Sequence, residues 1–148
     1  MLFRSGVAIL QSAKNYGASI AAVNVMAMDY GGSFPGDMAT LAEQAATATA
    51  GQVRSVWTTL STAQALAKTA VTPMIGVNDA GTSETFTVAD ATTLAKWAKS
   101  NGLAWTSFWS ATRDSECPGG ALSYAADDCS SVVQSAGAFG KAFSAVYY

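Results

Sequence analysis

The chain has 148 residues, of which 50% are apolar and 12% charged, with a formal net charge of −2. That length suits one domain, and the composition suits a packed α/β core rather than a disordered chain. The slight negative charge leaves no nucleic-acid footprint, and no apolar run is long enough to cross a membrane.

The opening Met1-Leu2-Phe3-Arg4-Ser5 has one basic residue, but Gln11 and Lys14 interrupt the apolar run that follows, so it makes a poor signal peptide. Gly6 to Tyr16 reads as a helix, with Val7, Leu10 and Ala13-Lys14 at helical spacing and Gly17 as its stop. Ile20 to Met28 is nearly all apolar, as in a strand buried on both faces. Gly31 to Gly36 is a Gly/Pro loop. Asp37 is placed to cap a helix carrying Met38, Leu41, Ala45 and Ala48. Ser61-Thr62-Ala63-Gln64 has capping-box form and opens a short helix through Ala67. Val71 to Val77 reads as a second strand, with Pro73 awkwardly inside it. Asn78 to Thr85 reads as a polar loop. Thr87-Val88-Ala89-Asp90 opens a helix through Ser100, with Val88, Ala91, Leu94, Ala95 and Ala98 as its buried stripe. Leu103 to Trp109 is the third strand. A long loop with both cysteines follows, then a last helix from about Ser131 to Ala145.

The expected order is α-βα-βα-βα, and a helix, a Gly stop, an apolar strand and a polar or aromatic tip recur in it. In parallel α/β folds ligands sit at the carboxyl ends of the strands. Asp29, Tyr30, Trp109, Arg113 and Asp114 would gather there. Three strands make a small sheet, and right-handed crossovers put all helices on one side unless the strand order reverses. Either the chain is doubly wound by itself or it is part of something larger. A start within a helix favours the second.

The residues themselves leave alternatives open. Cys117 and Cys129 flank a stretch rich in Gly, Ala and Asp, and a disulfide closing that loop is the first reading; two reduced loop thiols are the other. Their spacing fits no zinc motif, the chain has no histidine, and no metal or cofactor is expected. Trp109 at a strand tip is either a stacking surface for a sugar ring or a core tryptophan. Trp105 lies an even number of residues earlier, shares its strand face and is assigned to filling the space that this face of the sheet encloses. Asp29 ends a buried strand, where a carboxylate needs partners: a functional group or a cap on the next loop. Asn78 and Asp79 stand at a strand tip with loop capping as the equal alternative, and Arg113 with Asp114 is a surface pair or a rim contact. The loop Gly31-Gly32-Ser33-Phe34-Pro35-Gly36 has neither a dinucleotide fingerprint nor the Lys of a P-loop, and without histidine no Ser-His-Asp triad exists.

Three segments resemble the family 18 glycoside hydrolases, the chitinase family. Val23-Asn24-Val25-Met26-Ala27-Met28-Asp29-Tyr30-Gly31 is similar to the sixth barrel strand of a bacterial chitinase. Thr72-Pro73-Met74-Ile75-Gly76-Val77-Asn78-Asp79 is similar to its seventh, and Ser107-Phe108-Trp109-Ser110 with Arg113-Asp114 to its eighth. The resemblance covers essentially the whole chain, in order. It implies a (β/α)8 TIM barrel, of which residues 1–148 are the carboxyl-terminal part with about the last three β/α units, strands six to eight. It implies hydrolysis of β-1,4-linked N-acetylglucosamine polymers with retention, the substrate's own acetamido oxygen being the nucleophile. Asp29 then matches the acid that orients the acetamido group, Met26 the methionine ahead of it, and Trp109 the floor under the reacting sugar. Met28 stands where the family often has Tyr, and Tyr30 would supply that hydroxyl from the next position. Asn78 and Arg113 complete the expected substrate contacts.

The family's general acid ends an Asp-x-x-Asp-x-Asp-x-Glu motif on strand four. Nothing here matches it: the only glutamates are Glu43, Glu84 and Glu116, in a helix, a loop and the cysteine loop by this reading. The expectation is a fragment of a secreted chitinase, inactive alone, with chitin or chito-oligosaccharide and the missing amino-terminal half of the barrel as partners. Self-association through an unopposed sheet face is also expected. The alternatives are a chito-oligosaccharide-binding remnant without catalysis, or an unrelated small flavodoxin-like α/β domain.

Overall fold

A computed structural model describes residues 4–31, 34 and 36–146 of the chain. Met1 to Phe3 of the opening segment, and Gly32, Ser33 and Pro35 of the glycine loop, lie outside the described residues. The first helix, α1 (Arg4–Asn15), ends before Gly17, as its spacing predicts. Strand β1 (Val23–Ala27) is shorter than the apolar run that announces it. Helix α2 (Met38–Val56) starts at Asp37, whose carboxylate accepts the Thr40 N–H at 2.7 Å. Its buried stripe runs Met38, Ala42, Ala45, Ala46, Thr49, Ala50 and Val53, whereas Ala48, expected on it, faces solvent.

Helices α3 (Thr62–Leu66) and α4 (Val88–Asn101) both open with complete capping boxes, Ser61 with Gln64 and Thr87 with Asp90. Each box satisfies N–H groups that the helix cannot pair internally. Gly102 ends α4 in the left-handed conformation, φ 66°, which a residue with a Cβ adopts at a cost.

Strand β2 (Thr69–Pro73) pairs in parallel with β1 over Val23↔Thr69 to Ala27↔Pro73, and on its other side with β5 (Trp105–Thr106). The sheet order is β1-β2-β5, all parallel and in chain order. The third strand is shorter than Leu103 to Trp109, and Pro73 explains it. Hydrogen bonds run from Ser107 N–H to Val71 O (3.1 Å), from Trp109 N–H to Pro73 O (2.8 Å) and from Ile75 N–H to Trp109 O (2.9 Å). The bond missing from this alternation would come from residue 73, and proline has no N–H to give.

Beyond Pro73 the expected strand breaks. Gly76 takes φ 74° and turns the chain into β3 (Gly76–Asn78), which pairs antiparallel with β4 (Gly81–Phe86). A hairpin therefore replaces the polar loop expected over Asn78 to Thr85. Its sequence is polar on both faces, so the alternation shows only in burial: Glu84 and Phe86 are fully buried and Ser83 is exposed. The last helix, α5 (Ala138–Ser144), is also shorter than expected. Ser131 has φ 65° and Gly137 φ 74°, so the chain winds irregularly before it.

Helix α2 packs on β1 and β2, α4 on β5 and α2, and α5 on α4. The main core lies on that side: Val25, Ala27 and Val71 from the sheet, Met38 and Ala46 from α2, Leu94 from α4, and Phe86, Phe139 and Phe143. Phe143 stacks on Phe86 and Phe108, with ring centroids 6.4 and 5.6 Å apart. A second cluster joins Leu10 of α1 to Val53 and Val56 of α2. The strand order does not reverse, so the chain is not doubly wound, and the flavodoxin-like alternative falls on topology.

Candidate functional site

Register places Asn24, Ala70 and Trp105 on one face of the sheet, with Met26 and Thr72 beside them. This is the face away from the main core. The Asn24 side-chain amide donates to the Thr72 hydroxyl at 2.7 Å, and that hydroxyl lies 2.6 Å from the Ser107 hydroxyl. A polar row thus runs from β1 across β2 to Ser107, the residue after β5. On the same face Met26 is 70% exposed and Trp105 43%, so among the described residues nothing covers these two side chains.

At the carboxyl edge, Trp109 is 60% exposed. Its backbone is held on both sides by Pro73 O and Ile75 N–H, and its peptide bond to Ser110 is cis. An open pocket of about 490 Å³ lies against it, lined by Met74, Asp79, Ser110, Thr112, Arg113 and Asp127. Asp29, also exposed, sits at the tip after β1 with φ 52°, and its Oδ1 accepts the Ala80 N–H at 3.2 Å. Asp29 and Trp109 therefore stand at the same edge of one parallel sheet.

Three expected substrate contacts are placed otherwise. Arg113 is 1% exposed and spends its guanidinium on backbone carbonyls: Ile75 O at 3.0 Å, Val77 O at 2.7 Å, and Ala126 O. Burial holds its pKa below the ordinary arginine value, opposed by the charges of Asp79, Asp127 and Asp29. It is a buried staple between β3 and the cysteine loop, and it meets the pocket as part of its wall. Asn78 is fully buried, and its amide donates to Met74 O and Gly76 O at 3.0 and 3.1 Å. The Tyr30 hydroxyl is buried without a hydrogen-bond partner among the described residues. Burial first, and the Glu84 charge second, push its pKa up to about 12. The ring packs towards Phe34 and the main core, so the hydroxyl has no atom to offer a sugar.

Asp114 is structural as well. Its carboxylate accepts backbone N–H groups at the start of α5, from Phe139 at 3.0 Å and Gly140 at 2.8 Å, where Gly137 supplies no capping side chain. The cysteines are joined, with Cα atoms 5.0 Å apart. Their loop reaches the pocket: the Thr112 hydroxyl donates to Asp127 O at 3.2 Å, and Val77 N–H to Ser130 O at 3.0 Å. Sequence reasoning missed Asp127 as a pocket wall and Glu84 as a buried group. Neither sits in a motif, and only the crossing of distant segments brings them to the site. Among the described residues no cluster of acidic or cysteine side chains is suited to a metal ion.

No protein-family model matches the chain. Among characterised proteins, a probable bifunctional chitinase/lysozyme of Escherichia coli (strain K12) is 34% identical over 123 residues, 78% of this chain and 13% of that protein. Endochitinase 11 of Metarhizium anisopliae is 33% identical over 117 residues, 74% of this chain and 22% of that protein. The solved catalytic domain of a hyperthermophilic chitinase from Pyrococcus furiosus superposes with a TM-score of 0.87 at 27% identity, covering 98% of this chain and 46% of that one. The chain is related to the family 18 chitinases. It spans 13% and 22% of those two relatives' lengths and under half of the solved chitinase domain. Against a chitinase domain, the exposed face with Met26, Trp105 and Trp109 is the part of this sheet that its own helices leave uncovered.

Proposed function

We propose that residues 1–148 are the carboxyl-terminal part of a chitinase-like (β/α)8 barrel, with β1, β2 and β5 as strands six, seven and eight. The intact parent hydrolyses β-1,4-linked N-acetylglucosamine polymers with retention, and this part supplies half of the sugar cleft. The observation that carries the reading is an uncovered parallel-sheet face whose carboxyl edge bears both Trp109 and Asp29.

In this reading Trp109 is the floor on which the reacting sugar stacks, with Met26 on the same face and Met28 beside the tip. Asp29 orients the acetamido group and stabilises the positive charge it gains as its oxygen attacks the anomeric carbon. The leaving oxygen needs a proton from a carboxylic acid. Glu43 lies on α2, Glu84 is buried in β4 and Glu116 is in the cysteine loop, so no glutamate serves beside Trp109, and the aspartates in the pocket wall, Asp79 and Asp127, lie near the Arg113 charge. The acid then comes from the amino-terminal half of the barrel. A disulfide suits an oxidising compartment, which supports a secreted parent.

The test is release of a fluorescent aglycone from a chitobioside. The purified chain alone is expected to release none, and mixing with the amino-terminal half of a related barrel to restore release. Hydrolysis by the chain alone overturns the reading. A mixture that binds chito-oligosaccharide but never cleaves it selects the binding-only alternative. Exposed Met26 and Trp105 make the open face an association site, so light scattering should find oligomers of the isolated chain. A monomer with a sharp cooperative melt contradicts the half-barrel reading.

A further inference from the structure

Asp29 is one of two non-glycine residues with a positive φ among those described, and it is the one at the sheet edge. A left-handed non-glycine residue persists only where its surroundings hold it there. Those surroundings belong to the β3–β4 hairpin. Tyr30 N–H donates to Glu84 Oε2 at 2.8 Å, and Asp29 N–H leans on Asn78 Oδ1 at 3.4 Å. Ala80 N–H, in the turn of the same hairpin, fixes Asp29 Oδ1 at 3.2 Å.

Glu84 and Asn78 are both fully buried. The Asn78 oxygen is aimed because its nitrogen is committed to Met74 O and Gly76 O, and a register shift between Val77 and Asn78 turns it towards the tip. Glu84 is the more telling of the two. Its Oε1 is buried with no hydrogen-bond partner among the described residues. Leaving a buried polar atom unpaired lowers stability, so packing alone does not account for a glutamate at this position. A carboxylate oxygen receiving a backbone N–H is a charge-assisted bond, stronger than a neutral one.

We propose that Glu84 and Asn78 are positioning residues, which from the β3–β4 hairpin clamp the backbone of Asp29 and Tyr30 and so set where the Asp29 carboxylate stands beside Trp109. The inference rests on the role given to Asp29 above. It makes the hairpin a part of the site rather than a connection between β2 and α4.

Nuclear magnetic resonance on the chain tests it, with Glu84→Ala, Glu84→Gln and Asn78→Ala. The readouts are Tyr30 amide exchange, the Asp29 Hα coupling and Cα shift that report its φ, and titration with chitotetraose. Glu84→Ala should speed Tyr30 exchange by about tenfold or more, the factor expected for one charge-assisted bond. It should also move the Asp29 signals away from their left-handed values. Glu84→Gln keeps an acceptor oxygen and should largely restore both. In the titration, Glu84→Ala and Asp29→Ala should be non-additive in a double-mutant cycle, because one acts through the other. Wild-type Tyr30 exchange and Asp29 shifts in Glu84→Ala overturn the clamp, as does a Glu84→Gln no better than alanine or an additive cycle. If Glu84→Ala does not fold, Asn78→Ala decides through the same Asp29 signals, expected to shift in the same direction. A wild-type chain that shows no response to chitotetraose counts against the sugar-cleft reading, and the exchange and φ readouts still decide the clamp.

Discussion

Val25 and Met26 are neighbours in β1, yet Val25 is 6% exposed and Met26 is 70%. Alternation puts them on opposite faces of the same sheet. On Val25's side, α2 and the Phe86–Phe143 stack close a core in which Ala27 and Val71 are fully buried. On Met26's side, the Asn24–Thr72–Ser107 row and two tryptophans face outwards. A parallel sheet normally has both faces covered. The contrast teaches that this chain is held together from one side, while the other presents exposed aromatic and polar side chains that its own helices leave uncovered.

The sharpest break of that comparison is a pair of truncations. Phe86→Ala removes a fully buried ring that touches both Phe139 and Phe143, and should cost about 3–5 kcal/mol in urea unfolding. Met26→Ala should stay within about 0.5 kcal/mol, because little is buried there to lose. Equal costs would mean that the open face is covered in solution. A second test lies at the rim. A Cβ on Gly76 would come 1.8 Å from Ser130 O, with φ 74° already unfavourable for alanine. Gly76→Ala should therefore cost roughly 3 kcal/mol and loosen the loop that walls the pocket, read as faster amide exchange at Val77. Replacing Cys117 and Cys129 by serine should cost roughly 3 kcal/mol through the freed unfolded chain. The intact protein should weigh two hydrogens less than the reduced one.

The smallest effect concerns pH. The folded pKa of Tyr30 is raised from 10.0 to about 12. Between those values the unfolded chain releases a proton that the folded chain keeps, so stability is whole below pH 10 and falls as pH rises towards 12. Tyr30→Phe should flatten the fall in melting temperature over that window. An unchanged slope would place the phenol in water, on the open side of the comparison.

Much of the frame was legible because its causes are local. Asp37, Ser61 and Thr87 cap helices with oxygens that reach N–H groups three residues on, and Gly102 stops one by its own backbone freedom. The apolar run ending at Asp29 and the segment ending at Trp109 became parallel neighbours of β2, and the helix spacing of α4 gave its buried stripe. The hairpin was hidden because Gly81-Thr82-Ser83-Glu84-Thr85 has no apolar period to read.

The site divides along the same line. Its sequence determined that Asp29 and Trp109 each follow a strand of one parallel set, and hence that they share an edge, because parallel strands joined by crossovers all point their carboxyl ends the same way. Only the tertiary structure decided which tip residues face outwards. Arg113, Asn78 and Tyr30 read as contacts, but the backbone closes over them: Ala126 from across the cysteine loop over the guanidinium, the local turn at Met74 and Gly76 around the amide, and Glu84 from a distant strand beside the ring. Capping and periodicity are settled within a few residues. Burial of a polar tip is settled by whatever backbone crosses it, and that is information no short window of sequence contains.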